Sequence, residues 1–241
     1  MTAARSLSVI IPAYNEAGRI AHTVHELRRW LPSRVPCFEV RVVDDGSKDA
    51  TARIVTDIAE RDANVVLQRE PHRGKGGAVR RGMLASRADL RFICDADLSM
   101  PVQELSRFLD AQADGTDIVI GTREGHGALR VGEPVHRHVM GRAFNALVRR
   151  LLIPDIHDTQ CGFKLFTAEA AEAIFPRTTL DGWAFDLEVL HIAQRLGLRI
   201  KALPIEWHYR DRSQVSLIGD PLRMLRDVCR VRRNGRLGVY G

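Results

Sequence analysis

The chain has 241 residues, of which 45% are hydrophobic and 27% are charged, so it can bury a sizeable core without a disulfide or a structural metal. Its four cysteines form no Cys-x-x-Cys pair, which argues against a zinc site and a disulfide framework and favours a reducing compartment. The formal net charge of +6 favours phosphate groups or an anionic membrane as partners.

The sequence offers no segment that would carry the chain through a membrane or out of the cell. No apolar run reaches the roughly 18 residues of a membrane span. The first apolar run, residues 7–11, is too short for the core of a signal peptide. We therefore expect a cytoplasmic protein that is at most peripheral to a membrane.

The first half of the chain alternates short β-rich runs with amphipathic segments of helical length. Strands are predicted over residues 7–11, 39–43, 65–68, 90–94 and 118–121, and helices over 17–31, 49–59, 76–86 and 101–111. This alternation predicts an α/β fold with a mostly parallel central sheet flanked by helices. In such sheets ligands bind at the carboxyl ends of the strands.

The second half is less regular. Its patterns predict a glycine-rich loop over residues 122–134, a helix over 135–152, a loop over 154–162, a helix over 185–196 and a strand over 199–207. No internal repeat and no low-complexity linker interrupts these segments.

The tail from residue 221 onward differs in kind from the rest of the chain. Its arginines recur at three- and four-residue steps and include Arg223, Arg226, Arg230 and Arg233. Leu222, Leu225 and Cys229 fall on another face of the same helix. The pattern predicts a basic amphipathic helix that can lie on an anionic membrane. A solvated surface helix and contact with a partner protein are the alternatives.

The apolar run of the fourth predicted strand is followed by two carboxylates. Asp95 and Asp97 are separated only by Ala96, so in an extended segment their side chains point the same way. Their charges repel unless a cation lies between them, and carboxylate oxygens suit Mg²⁺ or Mn²⁺ that also binds a diphosphate. The alternative is a solvated turn at the end of a strand.

Three further loops follow predicted strands and therefore lie at the same edge of the sheet. They are residues 12–16 (PAYNE), 44–47 (DDGS) and 73–77 (RGKGG). Arg73 and Lys75 can neutralise a diphosphate at a helix N-terminus, and Asp44 or Asp45 can accept hydrogen bonds from a base or ribose. Taken singly, the loops also fit an ordinary turn, a helix cap and a flexible loop.

These motifs, in this order, resemble the GT-A fold glycosyltransferases of family 2. The resemblance is carried by residues 8–16, 43–47, 73–76 and 95–97. The later segments 121–123, 158–166 and 183–188 are similar to the subgroup that glycosylates polyprenyl phosphates, most of all to dolichyl-phosphate β-glucosyltransferases. The resemblance covers about residues 7–210 and implies a catalytic domain over residues 1–215 with a basic tail over 216–241.

The resemblance also implies which residues bind a nucleotide sugar. The implied set is Pro12, Tyr14, Glu16, Asp44, Asp45, Arg73, Lys75, Asp95 and Ala96. Within it, the first loop frames the base and ribose, Asp45 binds the uracil side, and Arg73 with Lys75 steadies the diphosphate. Asp95 and Asp97 face Mg²⁺ or Mn²⁺, and which of them contacts the metal directly stays open.

The same resemblance implies a second set of residues around the acceptor. Arg123, with Arg130 or Arg137, holds the acceptor phosphate, although each of these arginines could equally be a solvated surface residue. Asp97, Arg123 and Asp186 are the expected catalytic residues. Asp186 orients sugar hydroxyls or the acceptor, with a helix-capping role as the alternative.

The reaction implied is inverting transfer of a hexose or N-acetylhexosamine from a UDP-sugar, with UDP-glucose favoured, to polyprenyl phosphate. The acceptor phosphate is already anionic near neutral pH and needs little help from a base. One alternative is a mannosyltransferase that uses GDP-mannose. Another is an enzyme with a soluble acceptor, in which Asp186 or Glu188 serves as base. A nucleic-acid-binding module is disfavoured, because the three Trp and three Tyr residues offer no stacking platform.

A lipid acceptor implies a place at the cytoplasmic face of a membrane. The basic tail is the expected contact with the anionic surface, and a separate small membrane protein is the alternative anchor.

Overall fold

The computed structural model describes residues 5–210 and 219–241, without the side chains of residues 136, 137 and 219–222. Within that part of the chain the strands are β1 (Leu7–Ala13), β2 (Phe38–Asp44), β3 (Val65–Arg69), β4 (Leu90–Ile93), β5 (Ile118–Thr122), β6 (Leu129–Val131), β7 (Lys164–Thr167), β8 (Ile200–Pro204) and β9 (Glu206–His208). The α-helices are α1 (Ile20–Trp30), α2 (Thr51–Ala59), α3 (Lys75–Ala85), α4 (Leu105–Ala113), α5 (Val135–Leu151), α6 (Ala168–Ile174), α7 (Phe185–Arg195) and α8 (Gly219–Arg236). The predicted α/β alternation is confirmed.

Seven of the strands form a central sheet in the order β3-β2-β1-β4-β7-β5-β8. Strand β7 is antiparallel to both of its neighbours, whereas the other pairings are parallel. Near the middle of the sheet, Val9 of β1 pairs with Val40 of β2 and with Phe92 of β4. Parallel strands end at one edge, so the loops after β1 to β5 meet there, and β7 brings the loop that precedes it to the same edge.

Alternate residues of the central strands face opposite sides of the sheet and supply two cores. Ile10 packs on the side of α3 and α7, whereas Val9 and Ile11 pack on the side of α1 and α4. Helix α3 lies very close to the sheet, because a Cβ at Gly82 would lie 2.6 Å from Cγ2 of Ile10 and 2.8 Å from Cγ2 of Val43. Glycine at position 82 therefore lets α3 approach the strands that carry the site.

The second half departs from the predictions in its short elements. The sequence patterns predict neither β7 nor α6. Strand β6 lies inside the segment predicted as a loop, and it pairs with β9. The strand predicted over residues 199–207 is interrupted at Ile205, so that β8 pairs with β5 while β9 pairs with β6. These short strands exist because a distant segment supplies their hydrogen-bond partners, which a local pattern does not record.

Helix α8 is the amphipathic helix predicted for the basic tail. Met224, Val228 and Val231 are buried in the core on the α7 side of the sheet, while Arg226 and Arg230 are exposed. Its apolar face therefore packs on the rest of the fold, but it is not the predicted face, because Leu225 and Cys229 are exposed. Residues 216–218 of the predicted tail lie outside the described residues, and the division of the chain at residue 215 stays a prediction. No helix in the described part of the chain is both long and apolar enough to cross a bilayer.

Candidate functional site

A cavity of about 740 Å³ opens at the carboxyl edge of the sheet. Most of the residues that the sequence predicted for the site line it: Pro12, Tyr14, Glu16, Asp45, Arg73, Lys75, Asp95, Ala96, Asp97, Arg123, Arg130 and Asp186. Asp44 is buried outside this lining, where its Oδ1 accepts a hydrogen bond from the backbone N–H of Ser47 at 3.2 Å, so it shapes the turn after β2. The side chain of Arg137 lies outside the described residues.

The first two loops are fastened to each other by hydrogen bonds. The backbone N–H of Asn15 donates to Oγ of Ser47 at 2.9 Å, and the N–H of Glu16 donates to Oγ1 of Thr51 at 2.8 Å. Asn15 adopts a φ of +56°, a left-handed conformation that asparagine tolerates better than most residues. The side chain of Glu16 forms an ion pair with Arg19 at the cavity wall. These contacts hold the PAYNE loop in a defined position against the DDGS loop.

Asp45 ties the second loop to the third. Its carboxylate accepts hydrogen bonds from the backbone N–H groups of Arg73 at 2.9 Å and Gly74 at 2.8 Å. The Nδ1 atom of His72 lies 2.8 Å from the same carboxylate. The His72 ring also stacks on Tyr14, with the ring centroids 4.2 Å apart and the planes inclined by 23°. His72 was not a predicted site residue, and its ring continues the aromatic wall that Tyr14 begins.

Lys75 stands at the first position of α3 and points toward the paired aspartates. Its Nζ lies 2.5 Å from Oδ1 of Asp95 and 5.6 Å from the centre of the Trp183 ring. Burial lowers the pKa of Lys75, but the charges of Asp95 and Asp186 outweigh that effect, so the pKa is raised and the lysine stays protonated. A protonated lysine and a helix N-terminus together form a site for an anion.

Asp97 completes the acidic side of the cavity. Its Oδ1 accepts a hydrogen bond from the backbone N–H of Ser99 at 3.1 Å. Burial and the neighbouring charge of Asp95 raise the pKa of Asp97 above its ordinary value. Gly162 lies directly against Asp95, because a Cβ at that position would overlap the carboxylate. The loop before β7 thus helps to fix where Asp95 points.

The two aspartates fit a hard divalent cation by the chemistry of their oxygen atoms. In the described part of the chain, no group of three or more His, Cys, Asp or Glu side chains is placed to hold a metal. Among the described residues, Asp95 and Asp97 supply only part of a coordination shell, and a bound diphosphate could supply further oxygen ligands to a cation here.

Asp186 is buried at the start of α7 and forms an ion pair with a buried lysine from β7. Oδ1 of Asp186 lies 2.6 Å from Nζ of Lys164, which is fully buried and also donates to the carbonyl of Cys161. Burial raises the pKa of Asp186 even though Lys164 opposes that shift. Lys164 was not predicted as a site residue. The sequence feature that could have indicated it is a lysine among the apolar residues of the segment 160–166 (QCGFKLF).

Arg123 is held rigidly by a buried carboxylate. Its Nε and Nη2 each donate to Asp158 at 2.8 Å, and its backbone N–H donates to the same side chain at 2.9 Å. The guanidinium also lies 5.3 Å from the centre of the Trp207 ring. Arg130 is paired as well, with Glu133 at 2.6 Å and Glu124 at 2.7 Å. Both arginines line the cavity, but each already has carboxylate partners.

Two helices of the second half also line the cavity: α5, on which only Arg137 was a predicted site residue, and α8, on which no cavity residue was predicted. Met140 and Phe144 of α5 lie there, and Met224 and Arg223 of α8 lie there too. Arg210 adds another cation. Arg223 reaches the cavity because α8 packs against the rest of the fold. The local sequence showed only the spacing of the arginines and could not predict this position.

Glu188 does not belong to the site. It is fully buried on α7 and accepts hydrogen bonds from the backbone N–H groups of Thr179 and Leu180, both at 2.8 Å, and from the hydroxyl of Tyr240 at 2.8 Å. It is absent from the lining of the cavity. The suggestion that Glu188 could act as a base is therefore wrong, because its carboxylate joins α7 to the segment that follows α8.

The strand order and the position of the cavity define a GT-A fold. The crystal structure of glucosyl-3-phosphoglycerate synthase from Mycobacterium tuberculosis in complex with UDP superposes with a TM-score of 0.70 at 22% identity, covering 98% of this chain and 81% of that one. Mannosyl-3-phosphoglycerate synthase from Rubrobacter xylanophilus gives a TM-score of 0.71 at 20% identity, covering 97% and 75%. At such identities the likeness shows the fold alone.

The chain belongs to glycosyltransferase family 2, because residues 8–175 match the family model described as Glycosyl transferase family 2. It is 35% identical to the dolichyl-phosphate β-glucosyltransferase of Dictyostelium discoideum, over 97% of this chain and 76% of that protein. The enzyme of the same name from Homo sapiens is 32% identical, over 98% and 78%. The family resemblance read from the motifs is confirmed, and the protein is a glycosyltransferase.

Proposed function

We propose that this protein transfers a hexose from a UDP-sugar, with UDP-glucose favoured, to polyprenyl phosphate and releases a β-linked polyprenyl-phosphate sugar. The observation that carries the proposal is the convergence of Lys75, Asp95 and Asp97 at the N-terminus of α3. Relatives named dolichyl-phosphate β-glucosyltransferase, 32% to 35% identical over nearly the whole chain, support the acceptor class and the sugar.

The donor occupies the side of the cavity that the first three loops build. The flat ring of Tyr14, stacked on His72, offers a surface for the base, and Asp45 lies beside it. The diphosphate lies at the N-terminus of α3, where Lys75 and Arg73 counter its charge. UDP bound to a GT-A relative supports a uridine donor.

A divalent cation, Mg²⁺ or Mn²⁺, would be held by Asp97, Asp95 and the diphosphate, where it would stabilise the charge of the leaving group. A relative of the same fold was crystallised with Mn²⁺ and UDP, which supports this choice of ion. Because Lys75 already pairs with Asp95 at 2.5 Å, we favour Asp97 as the closer ligand.

The acceptor phosphate enters from the opposite side. Arg123 and Arg130, already placed by their acidic partners, line that side together with Arg210 and Arg223, so the cationic groups outnumber those foreseen from the sequence. Arg137 stays a further candidate. The ion pair with Lys164 fixes the Asp186 carboxylate, which supports a role for Asp186 in orienting sugar hydroxyls.

The chemical step is a direct displacement at the anomeric carbon of the sugar. A phosphate oxygen of the acceptor forms a bond to C1 as the bond from C1 to the diphosphate oxygen breaks, and UDP leaves with the electron pair. The acceptor oxygen is already anionic, so no base is needed. Lys75 counters the charge that develops on the leaving diphosphate. Displacement from the opposite face converts an α-linked donor into a β-linked product.

The acceptor places the enzyme at the cytoplasmic face of a membrane as a peripheral protein. The exposed arginines of α8, Arg226 and Arg230 among them, support contact with anionic lipid.

The test is transfer from a panel of radiolabelled UDP- and GDP-sugars to polyprenyl phosphate in detergent, with Mg²⁺, Mn²⁺ or EDTA present. We expect a metal-dependent, chloroform-soluble product from UDP-glucose. Asp97→Ala should abolish transfer while the protein stays folded. The matched control is Asp114→Ala, since Asp114 is an exposed aspartate that pairs with Lys201 at the protein surface.

Three outcomes would overturn parts of the proposal. A product from GDP-mannose alone would make the enzyme a mannosyltransferase. Metal-dependent UDP binding without any lipid product would favour a soluble acceptor, with Asp186 as the remaining candidate base. Full activity in Asp97→Ala would remove the metal assignment.

A further inference from the structure

One face of α5 exposes apolar side chains in a row. Val135 is 78% exposed, Val139 is 59% exposed and Leu147 is 37% exposed. These residues are separated by four and eight positions, so they lie along one side of the helix, with the exposed Ala143 between the last two. The row is about 18 Å long at 1.5 Å per residue. Single exposed apolar residues are common, but a continuous apolar row of this length indicates a surface that binds a protein or a membrane.

The same helix forms a wall of the cavity. Met140, Gly141, Phe144 and Asn145 line the cavity from α5. Met140 is also 48% exposed, so the lining of the cavity and the outward apolar row adjoin at this residue. The apolar face of α5 is therefore continuous with the opening through which an acceptor would reach Arg123.

Positive charge surrounds the apolar row. The sequence of α5 contains four arginines and no acidic residue. Arg142 and Arg150 are exposed on it. Helix α8 packs beside α5 and exposes Arg226, Arg230 and further arginines on its outer side. Each basic residue near an anionic leaflet strengthens binding several-fold, at about 1 kcal/mol.

We propose that the outward face of α5, defined by Val135, Val139, Met140 and Leu147, rests on the surface of an anionic bilayer together with the basic side of α8. An apolar row flanked by arginines is the composition of a helix that lies in the interface between lipid and water. A second copy of this chain is a poorer occupant, because two such faces would bring like charges together.

This arrangement deepens the proposed function and rests on it. With α5 on the bilayer, the cavity opens beside the lipid, so a prenyl phosphate can present its headgroup past Met140 and Phe144 while its chain stays among lipid tails. The membrane contact foreseen for the tail alone thus becomes a surface shared by two helices, in which α5 supplies the apolar contact and α8 supplies charge.

The test uses the full chain with the double variant Val135→Gln and Val139→Gln, neither of which lines the cavity. The control is Leu84→Gln, since Leu84 is an apolar residue of α3 that is 45% exposed. Binding to vesicles of equimolar phosphatidylcholine and phosphatidylserine is measured by co-sedimentation. We expect the double variant to bind at least tenfold more weakly, because two apolar contacts with the interface are lost, and the control to bind like the wild type.

Transfer assays with two acceptors distinguish membrane binding by α5 from the proposed transferase activity. Transfer to a prenyl phosphate embedded in those vesicles should fall in the double variant, while transfer to a short, water-soluble prenyl phosphate should stay as in the wild type. Wild-type binding by the double variant would overturn the inference and leave the proposed function intact. A protein that binds no vesicles but is dimeric, and becomes monomeric in the double variant, would identify the face as a subunit interface instead. Failure of the wild type to use either acceptor would overturn the proposed function.

Discussion

Replacing Asp158 with asparagine removes the charge that holds Arg123 in place. The carboxylate is fully buried and accepts three hydrogen bonds from Arg123, two from the guanidinium at 2.8 Å and one from the backbone N–H at 2.9 Å. Asparagine has nearly the same shape, but its amide nitrogen cannot accept a hydrogen bond. At least one donor of Arg123 therefore loses its partner, and the guanidinium keeps its charge.

The expected cost is about 3 kcal/mol in the free energy of unfolding, at the lower end of the range for removing one partner of a buried ion pair. The lower end applies because 19% of the Arg123 side chain is exposed and water can partly replace the lost contact. The pKa of Asp158 indicates a cost of similar size. Burial raises the pKa of Asp158, but Arg123 outweighs that effect and brings the pKa to about 2. This lowering of the pKa corresponds to roughly 2 to 3 kcal/mol in the free energy of unfolding.

The pKa of Asp158 also determines how the free energy of unfolding depends on pH. The carboxylate is a weaker base in the folded state than in the unfolded state, so the ion pair stabilises the fold fully above pH about 4 and loses that effect as the pH falls to about 2. The difference in unfolding free energy between the wild type and Asp158→Asn should be largest near neutral pH and should decrease on acidification.

Denaturant unfolding of both proteins across this pH range is the assay, with Asp114→Asn as the matched control. Asp114 pairs with Lys201 at 3.2 Å with both side chains largely solvated, so its replacement should change the unfolding free energy by less than about 1 kcal/mol. If Asp158→Asn unfolds like the wild type at neutral pH, or if the difference increases in acid, the ion pair does not stabilise the fold in this way.

Three further changes test other parts of the molecule. Gly162→Ala should weaken metal-dependent UDP binding measured by calorimetry, because the new methyl group displaces the Asp95 carboxylate; wild-type affinity would contradict that placement. Lys75→Ala should raise the Kd for UDP at least tenfold through the lost diphosphate contact, and an unchanged Kd would rule the contact out. Tyr240→Phe should lower the unfolding free energy by about 1.5 kcal/mol, because Glu188 loses one of its hydrogen-bond donors, while kcat stays unchanged; a loss of kcat alone would instead tie Glu188 to catalysis.

The elements that the sequence predicted well are those with strong local patterns. The helix predicted over residues 135–152 forms as Val135–Leu151, and the strand predicted over 118–121 forms as Ile118–Thr122. Weakly patterned elements were missed: Lys164–Thr167 is short and central, and it becomes a strand because β4 and β5 lie on either side of it. Its antiparallel direction is a property of the chain path, which no local pattern records.

In the site as well, the sequence motifs identified the residue types, whereas only the structure identified their partners. The motifs placed Lys75 and Asp95 at one edge of the sheet, and the structure brings them within 2.5 Å. The motifs could not show that Arg123 already has a buried partner. They favoured Asp186 over Glu188 but left both open as a base, whereas in the structure Asp186 lines the cavity and Glu188 does not.

The sequence by itself determined the class of fold, the family and the edge of the sheet where the site lies, because the alternation of strands and helices and the chemistry of the loops after strands are local properties. Only the tertiary structure decided which charges neutralise each other. Arg123 meets Asp158 across 35 residues, and Tyr240 meets Glu188 across 52. Such pairs form where packing removes water and leaves a buried charge no other partner, and that condition depends on the whole fold.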